Sequence, residues 1–215
     1  MQETMNHIAS RAAHIVREYG PFDAGQPIHG VTFDGRNVWA ATGPTLLAFD
    51  PHTGAVTHTL GIVSDAGTAF DGKHLHQIAE NRIDRIDPKT GRVLGSIPAP
   101  GSGSDSGLTW AEGSLWVGDY RGRRIHQIDP SDGRILRTIE SDRFVTGVTW
   151  AEGDLWHGAV EGEQAEIRRI DHRNGAVKER LTMPDGVFVS GLESAGDGLF
   201  YAGGGSSGKV RAVRR

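Results

Sequence analysis

The chain has 215 residues, a formal net charge of −4, no cysteine and 31 glycines. Its length suits one domain with a substantial hydrophobic core, and the lack of cysteine excludes disulfide scaffolds, thiolate zinc sites, iron–sulfur centres and cysteine nucleophiles. The mixed, slightly acidic charge provides no basic surface, so we expect neither nucleic-acid nor membrane partners.

The first residues show no targeting pattern. Glu3 lies near the start, and no apolar run of signal-peptide length follows it. The chain also has no stretch of about 18 apolar residues that could span a bilayer. We therefore expect a cytoplasmic protein.

One phrase, of the type GLTWAEGSLW, recurs five times with a period of about 40 residues. Its copies begin at Gly30, Gly67, Gly107, Gly147 and Gly191. A second phrase, of the type IDPKTGRV, follows the first four copies at Phe49, Ile86, Ile128 and Ile170. Four short strand-like runs per repeat of this length are typical of a β-propeller.

Each repeat is predicted to form one blade of four strands, A to D from the inside outwards, with Asp-Gly or Glu-Gly turns between A and B. Aromatic residues at matching places in strands A and B are predicted to fill the wedges between blades. The blades are expected at about 27–61, 65–98, 104–140, 144–183 and 188–213, within a single domain that covers 1–215.

The fifth repeat lacks a D strand, because the chain ends soon after KVRAV at 209–213. The segment HIVREY at 14–19 resembles the other D strands, so we predict that it completes blade five and closes the ring, with 1–13 as a tail. A short helix over residues 5–18 is the alternative. The predicted fold is thus an all-β, five-bladed propeller, and a closed ring with no free strand edge favours a monomer.

The loops between D and A and between B and C differ from repeat to repeat, so we expect the site at that end of the propeller. Residues just before the ring glycines, or at the ends of the B strands, would surround the mouth of the central channel. The candidates are His29, Asp65, Glu80, Asp105, Ser106, Asp119, Tyr120, Thr146, His157 and Ser190.

Two chemistries are compatible with these side chains. Asp65, Asp105 and Glu80 are candidate ligands for Mg²⁺, Ca²⁺ or Mn²⁺, and no organic cofactor is expected. The same cluster supports acid–base chemistry, with Glu80 as general base, His29 as proton shuttle and His157 as a further catalytic residue, either with or without the cation. The remaining polar candidates, Asp119, Tyr120, Ser106, Thr146 and Ser190, would bind the substrate.

Structural roles remain open for several of these residues. Asp65 and Asp105 each follow a serine and precede a ring glycine by two positions, so both are also candidates for bonding loop amides. His29 and His157 are equally candidates for packed histidines.

The phrases GLTWAEGSLWVGDYRGRRIHQIDPSDGRIL and ENRIDRIDPKTGRVLGSI resemble repeats of the glutamine cyclotransferase (glutaminyl cyclase) family and of virginiamycin B lyase-like propellers. The cyclase resemblance implies a catalytic glutamate in a B strand, where this chain has Gln77. The lyase resemblance implies a histidine and a glutamate beside Mg²⁺, matched by position to His29 and Glu80.

Together these observations predict a small enzyme that abstracts a proton from a compact polar molecule, by cyclisation, elimination or lactone opening. The alternative is a non-catalytic propeller that binds a small ligand or a protein partner on the same face.

Overall fold

The computed structural model describes residues 8–215, which form a ring of five antiparallel sheets. Two strands precede the first blade, β1 (Ala9–Ala12) and β2 (His14–Tyr19). Blade 1 contains β3 (Gly30–Phe33), β4 (Val38–Ala41), β5 (Leu46–Phe49) and β6 (Val56–Leu60). Blade 2 contains β7 (Thr68–Phe70), β8 (Leu75–Ala79), β9 (Arg82–Ile86) and β10 (Val93–Pro98).

Blade 3 contains β11 (Asp105–Ala111), β12 (Ser114–Asp119), β13 (Arg124–Ile128) and β14 (Ile135–Glu140). Blade 4 contains β15 (Phe144–Ala151), β16 (Asp154–Glu161), β17 (Gln164–Ile170) and β18 (Val177–Thr182). Blade 5 contains β19 (Leu192–Gly196), β20 (Leu199–Gly203) and β21 (Val210–Arg214). The predicted five-bladed propeller is confirmed. Within residues 8–215, no helix is long and apolar enough to cross a membrane.

The turns form for the reasons that the sequence indicates. In blade 3, Glu112 (φ 52°) and Gly113 (φ 70°) both take the left-handed conformation that a two-residue hairpin requires. Between β13 and β14, Asp129 Oδ1 accepts a hydrogen bond from the Ser131 amide at 2.9 Å, and Gly133 has a φ of 79°. These short turns occupy the end of the propeller opposite the proposed site.

The ring closes through β2, which pairs with β21 from His14↔Arg214 to Tyr19↔Val210. The predicted closing strand is therefore confirmed, and the helical alternative is wrong for the residues that the structure describes; its residues 5–7 lie outside them. Residues 9–12 were predicted to belong to a tail. Instead, β1 pairs in parallel with β18 and satisfies backbone groups at the outer edge of blade 4.

Five hydrophobic clusters form the core, one between each pair of adjacent blades. The aromatic side chains of the B strands lie in them, and Trp116 and Trp156 are fully buried. Trp156 of blade 4 meets Phe200 of blade 5 with ring centroids 4.9 Å apart. The aromatic residues predicted to fill the wedges do so.

The innermost strands approach each other most closely at the five ring glycines. A Cβ atom added to Gly107 would lie 2.4 Å from Val148 N, far inside van der Waals contact. The corresponding distance from each of the other ring glycines to the next blade is 2.4 to 2.6 Å; these are Gly30, Gly67, Gly147 and Gly191. Only glycine therefore allows the blades to meet at the axis.

Replacing Gly107 with alanine should lower the free energy of unfolding by more than about 2 kcal/mol, because the new methyl group overlaps the backbone of blade 4. The matched control is Gly61→Ala, since Gly61 is exposed and a Cβ there meets no atom within 4 Å. We expect that control to change stability by less than about 0.5 kcal/mol. Equal melting temperatures for the two variants would contradict the close approach.

Candidate functional site

A cavity of about 280 Å³ opens where the A strands begin, at the end of the channel that the innermost strands enclose. We call it the mouth cavity. The residues immediately before the five ring glycines all line it: His29, Ala66, Ser106, Thr146 and Ser190. Asp65, Asp105, Tyr120 and Arg121 form much of the remaining wall. Seven of the ten candidate residues therefore lie together.

Two hydroxyl groups of the mouth cavity tie a blade to the next one. Ser106 Oγ donates to Val145 O at 2.8 Å, and Ser190 Oγ donates to Ile28 O at 2.5 Å. Thr146 Oγ1 is buried and has no hydrogen-bond partner among residues 8–215. It packs against the backbone of Gly158, where an added Cβ atom would overlap it.

His29 is held between two loops that pair with each other. Gly43 and Ser64 exchange backbone hydrogen bonds of 3.0 and 2.8 Å, and a Cβ atom on Gly43 would lie 3.7 Å from His29 Nε2. Partial burial lowers the pKa of His29 below its usual 6.5, although the Asp65 carboxylate opposes this shift. The imidazole is therefore neutral at pH 7 and can accept a proton.

Asp105 begins β11 with its carboxyl group turned into the loop before it. Oδ1 accepts a hydrogen bond from the Gly101 amide at 2.8 Å, whereas Oδ2 is buried without a partner in the described chain. Burial raises the pKa of Asp105, and the nearby Asp119 carboxylate adds to the increase. Asp105 thus keeps its proton to a higher pH than an ordinary aspartate.

Asp119 lies behind the cavity wall. Its Oδ1 accepts hydrogen bonds from Ser104 Oγ and from the Gly122 amide, and its side chain is mostly buried. These bonds shape the loop that carries Tyr120, whose ring stacks on Phe144 at a centroid distance of 4.8 Å. Asp119 therefore positions the wall and does not line the cavity.

Glu80 points away from the mouth cavity. It follows β8 in a left-handed turn (φ 56°), and its carboxylate forms a 2.8 Å ion pair with Arg82 while remaining 67% exposed. Only its backbone amide faces the site, where it donates to both Asp65 oxygens at 3.2 Å. The loop-capping alternative for Asp65 thus describes part of its role.

His157 lies in a different part of the molecule, in a cavity between blades 3 and 4. Trp156 faces blade 5, so His157, the next residue on the strand, faces blade 3. The strand β16 continues for four residues beyond it, to Glu161. The prediction that His157 lies at the end of its B strand is therefore wrong.

The three candidate metal ligands do not converge. Asp65 and Asp105 line the mouth cavity, but Glu80 does not, and within residues 8–215 no group of three or more His, Asp or Glu side chains is placed to hold a metal ion. As placed, Asp65, Asp105 and Glu80 do not form one site for a divalent cation.

The chain matches one protein-family model over more than half of its length. The family model PQQ_2, described as "Outer membrane protein assembly factor BamB", matches residues 79–215. The chain belongs to this family. Among curated proteins, none matches the chain.

Solved structures share the fold. Glutaminyl cyclase from Myxococcus xanthus superimposes with a TM-score of 0.79 at 17% identity, covering 96% of this chain and 97% of that one. Virginiamycin B lyase from Staphylococcus aureus gives 0.54 at 19% identity, covering 89% and 68%. Hydrazine synthase from Kuenenia stuttgartiensis gives 0.52 at 17% identity, covering 82% and 55%. At such identities the likeness shows the propeller alone.

Gln77, at the position that the cyclase resemblance assigns to a glutamate, has a structural role. It is fully buried, and its Nε2 donates to three backbone carbonyls, those of Ala66, Gly67 and Ile78, at 2.8 to 3.2 Å. A side-chain amide cannot act as a general base. Any base in this protein is therefore a different residue.

Glu193, which faces the axis from β19, was not among the residues predicted from the sequence. It accepts hydrogen bonds from Thr149 Oγ1 at 2.6 Å and Thr32 Oγ1 at 2.8 Å, one from each neighbouring blade. Burial raises its pKa to about 7. A signal was present: the second residue after the ring glycine is threonine in three repeats, and glutamate only here.

The raised pKa makes Glu193 a source of pH-dependent stability. The folded protein binds this proton more tightly than the unfolded chain, so the contribution is full below about pH 4.5 and is lost as the pH rises to about 7. Over this pH range the wild type should lose on the order of 2 kcal/mol of unfolding free energy, a figure reduced because the Glu193 side chain is partly accessible to solvent. The variant Glu193→Gln should not show this loss. Urea unfolding across this range measures it.

The control for this experiment is Glu163→Gln, which changes an exposed glutamate in the turn between β16 and β17. It should keep the wild-type pH dependence. Parallel stability curves for the wild type and Glu193→Gln would show that Glu193 is not responsible.

Metal binding is tested by melting the metal-stripped protein and adding Mg²⁺, Ca²⁺ or Mn²⁺ singly. From the placement of Glu80 we expect no rise in melting temperature. A bound cation at about 100 times its Kd would add roughly 2.7 kcal/mol, which is readily detected. A rise that disappears in Asp105→Asn would instead establish a cation at the mouth cavity.

Proposed function

We propose that the mouth cavity is the active site of an enzyme that transfers a proton to or from a compact polar molecule. One observation carries the proposal: a neutral imidazole and a carboxyl group with a raised pKa line the same small cavity. Pairs of titratable groups whose environments shift their pKa values in this way are typical of acid–base sites.

In this proposal His29 is the general base. Its pKa, lowered by burial, keeps the ring unprotonated at neutral pH, and the Asp65 carboxylate stabilises the imidazolium once it forms. The raised pKa of Asp105 makes its carboxyl group a second candidate proton carrier in the wall of the cavity. Glu80, the base expected from the sequence, has no part in the reaction.

The other walls of the cavity define the substrate class. Arg121 is exposed there, and its guanidinium has no ion-pair partner in the described part of the chain, so it can bind an anionic group such as a carboxylate. Tyr120 offers a flat ring. The reaction is intramolecular cyclisation, elimination or lactone opening of a molecule that fits about 280 Å³.

A panel of glutaminyl dipeptides and small lactones tests the proposal directly. For any substrate turned over, His29→Gln should lower kcat/KM by about 10²- to 10⁴-fold with little change in melting temperature. The wild-type rate should fall as the pH is lowered through a pKa below 6.5, where the base becomes protonated.

Glu80→Gln is the matched control, since it removes a carboxylate near the site that lies outside the cavity. It should keep kcat/KM within about twofold of the wild type. Loss of turnover in this variant, together with full activity in His29→Gln, would overturn the assignment of the base.

A second candidate is a non-catalytic propeller that binds a partner on the same face. The description of its family as an assembly factor favours it. This function predicts no turnover with any member of the panel, and binding that depends on exposed groups such as Arg121 and Tyr120 rather than on His29.

A further inference from the structure

A second cavity, of about 220 Å³, lies between blades 3 and 4 and contains two deeply buried polar side chains. His157 on β16 and Arg168 on β17 are direct cross-strand partners, and each is only 1% exposed. Cross-strand partners project side by side from the same face of a sheet. Both therefore present polar atoms to the same small space.

Arg168 has one guanidinium nitrogen, Nη2, without an acceptor. Its Nε donates to Glu166 Oε2 at 2.8 Å and its Nη1 to Asp142 Oδ1 at 2.5 Å. Nη2 is buried, and no acceptor lies within reach of it among residues 8–215. Leaving a buried guanidinium N–H group unpaired costs free energy of folding, so we expect Nη2 to bind an acceptor oxygen from outside the chain.

His157 offers the complementary group. Its Nδ1 lies 2.9 Å from the Gly158 carbonyl oxygen, which can only accept, so Nδ1 carries the proton and Nε2 carries a lone pair. Complete burial lowers the pKa of His157 to about 4, which keeps the ring neutral at physiological pH. Nε2 has no donor within the described residues.

The charge around this cavity excludes an anion. Two carboxylates, those of Asp142 and Glu166, already surround the single charge of Arg168. Glu140 adds a third at the rim, where Asp142 is 70% exposed and the cavity reaches solvent. A ligand here must be small and neutral, with one acceptor and one donor.

We propose that this cavity binds a neutral carboxamide group, whose carbonyl oxygen accepts from Arg168 Nη2 and whose N–H group donates to His157 Nε2. A carboxamide supplies one acceptor and one donor, the two groups that Arg168 Nη2 and His157 Nε2 lack within the described residues. The site is separate from the mouth cavity and does not depend on its chemistry.

Titration of the isotope-labelled full chain with three small probes tests the proposal by NMR. Acetamide should give saturable shifts at the side-chain nitrogens of Arg168 and His157. N,N-dimethylacetamide, which keeps the carbonyl but lacks the N–H, should bind at least about tenfold more weakly. Acetate should not bind.

The variant His157→Phe removes the acceptor and keeps a ring. It should weaken acetamide binding about tenfold and leave the binding of N,N-dimethylacetamide unchanged, because that probe does not use Nε2. If the variant fails to fold, the three probes on the wild type still decide.

Two outcomes would overturn the proposal. Equal affinity for the three probes would show that the cavity does not distinguish a carboxamide from a molecule that lacks its N–H group or carries a charge. No saturable shift with acetamide would mean that water alone serves Arg168 in this cavity.

Discussion

The structure depends on how closely five backbone segments can approach one axis. At each ring glycine the next blade lies where a side chain would begin, as Gly107 and Val148 show. Because the innermost strands meet there without side chains, the blades can splay outward only by as much as their aromatic wedges fill, and residues such as Trp116 and Trp156 set that width. The close approach at the axis and the width of the aromatic wedges together allow a ring of only five blades.

The same constraint creates the site. Once the glycines are brought to the axis, the residue before each one must face the mouth, which explains why His29 and Thr146 meet although they lie in different blades. The residue two positions beyond the glycine faces the axis below, where Glu193 sits between threonines of its neighbours. Protein walls then replace water around these groups, and their pKa values shift accordingly.

Repetition made the fold and most of the residues that line the mouth cavity predictable. A phrase repeated with constant spacing places its members at equivalent points around the ring, so the mouth position of Ser106 or Ser190 follows from counting. The positions of two candidate side chains do not follow from the repeat spacing. Glu80 turns outward because its backbone is left-handed and Arg82 attracts its carboxylate, and His157 lies within an unusually long strand. Neither property is repeated, so neither could be read from the repeats.

The closure through β2 also has a consequence in time. Glu18 on β2 and Lys209, next to β21, form an ion pair across 191 residues of sequence. At a synthesis rate of roughly 5 to 20 residues per second, β2 leaves the ribosome about 10 to 40 s before its partner strand. During that interval the nascent chain carries an unpaired edge and an open ring, and both are surfaces on which chains associate wrongly. Translation speed and chaperone supply should therefore influence the yield of this propeller.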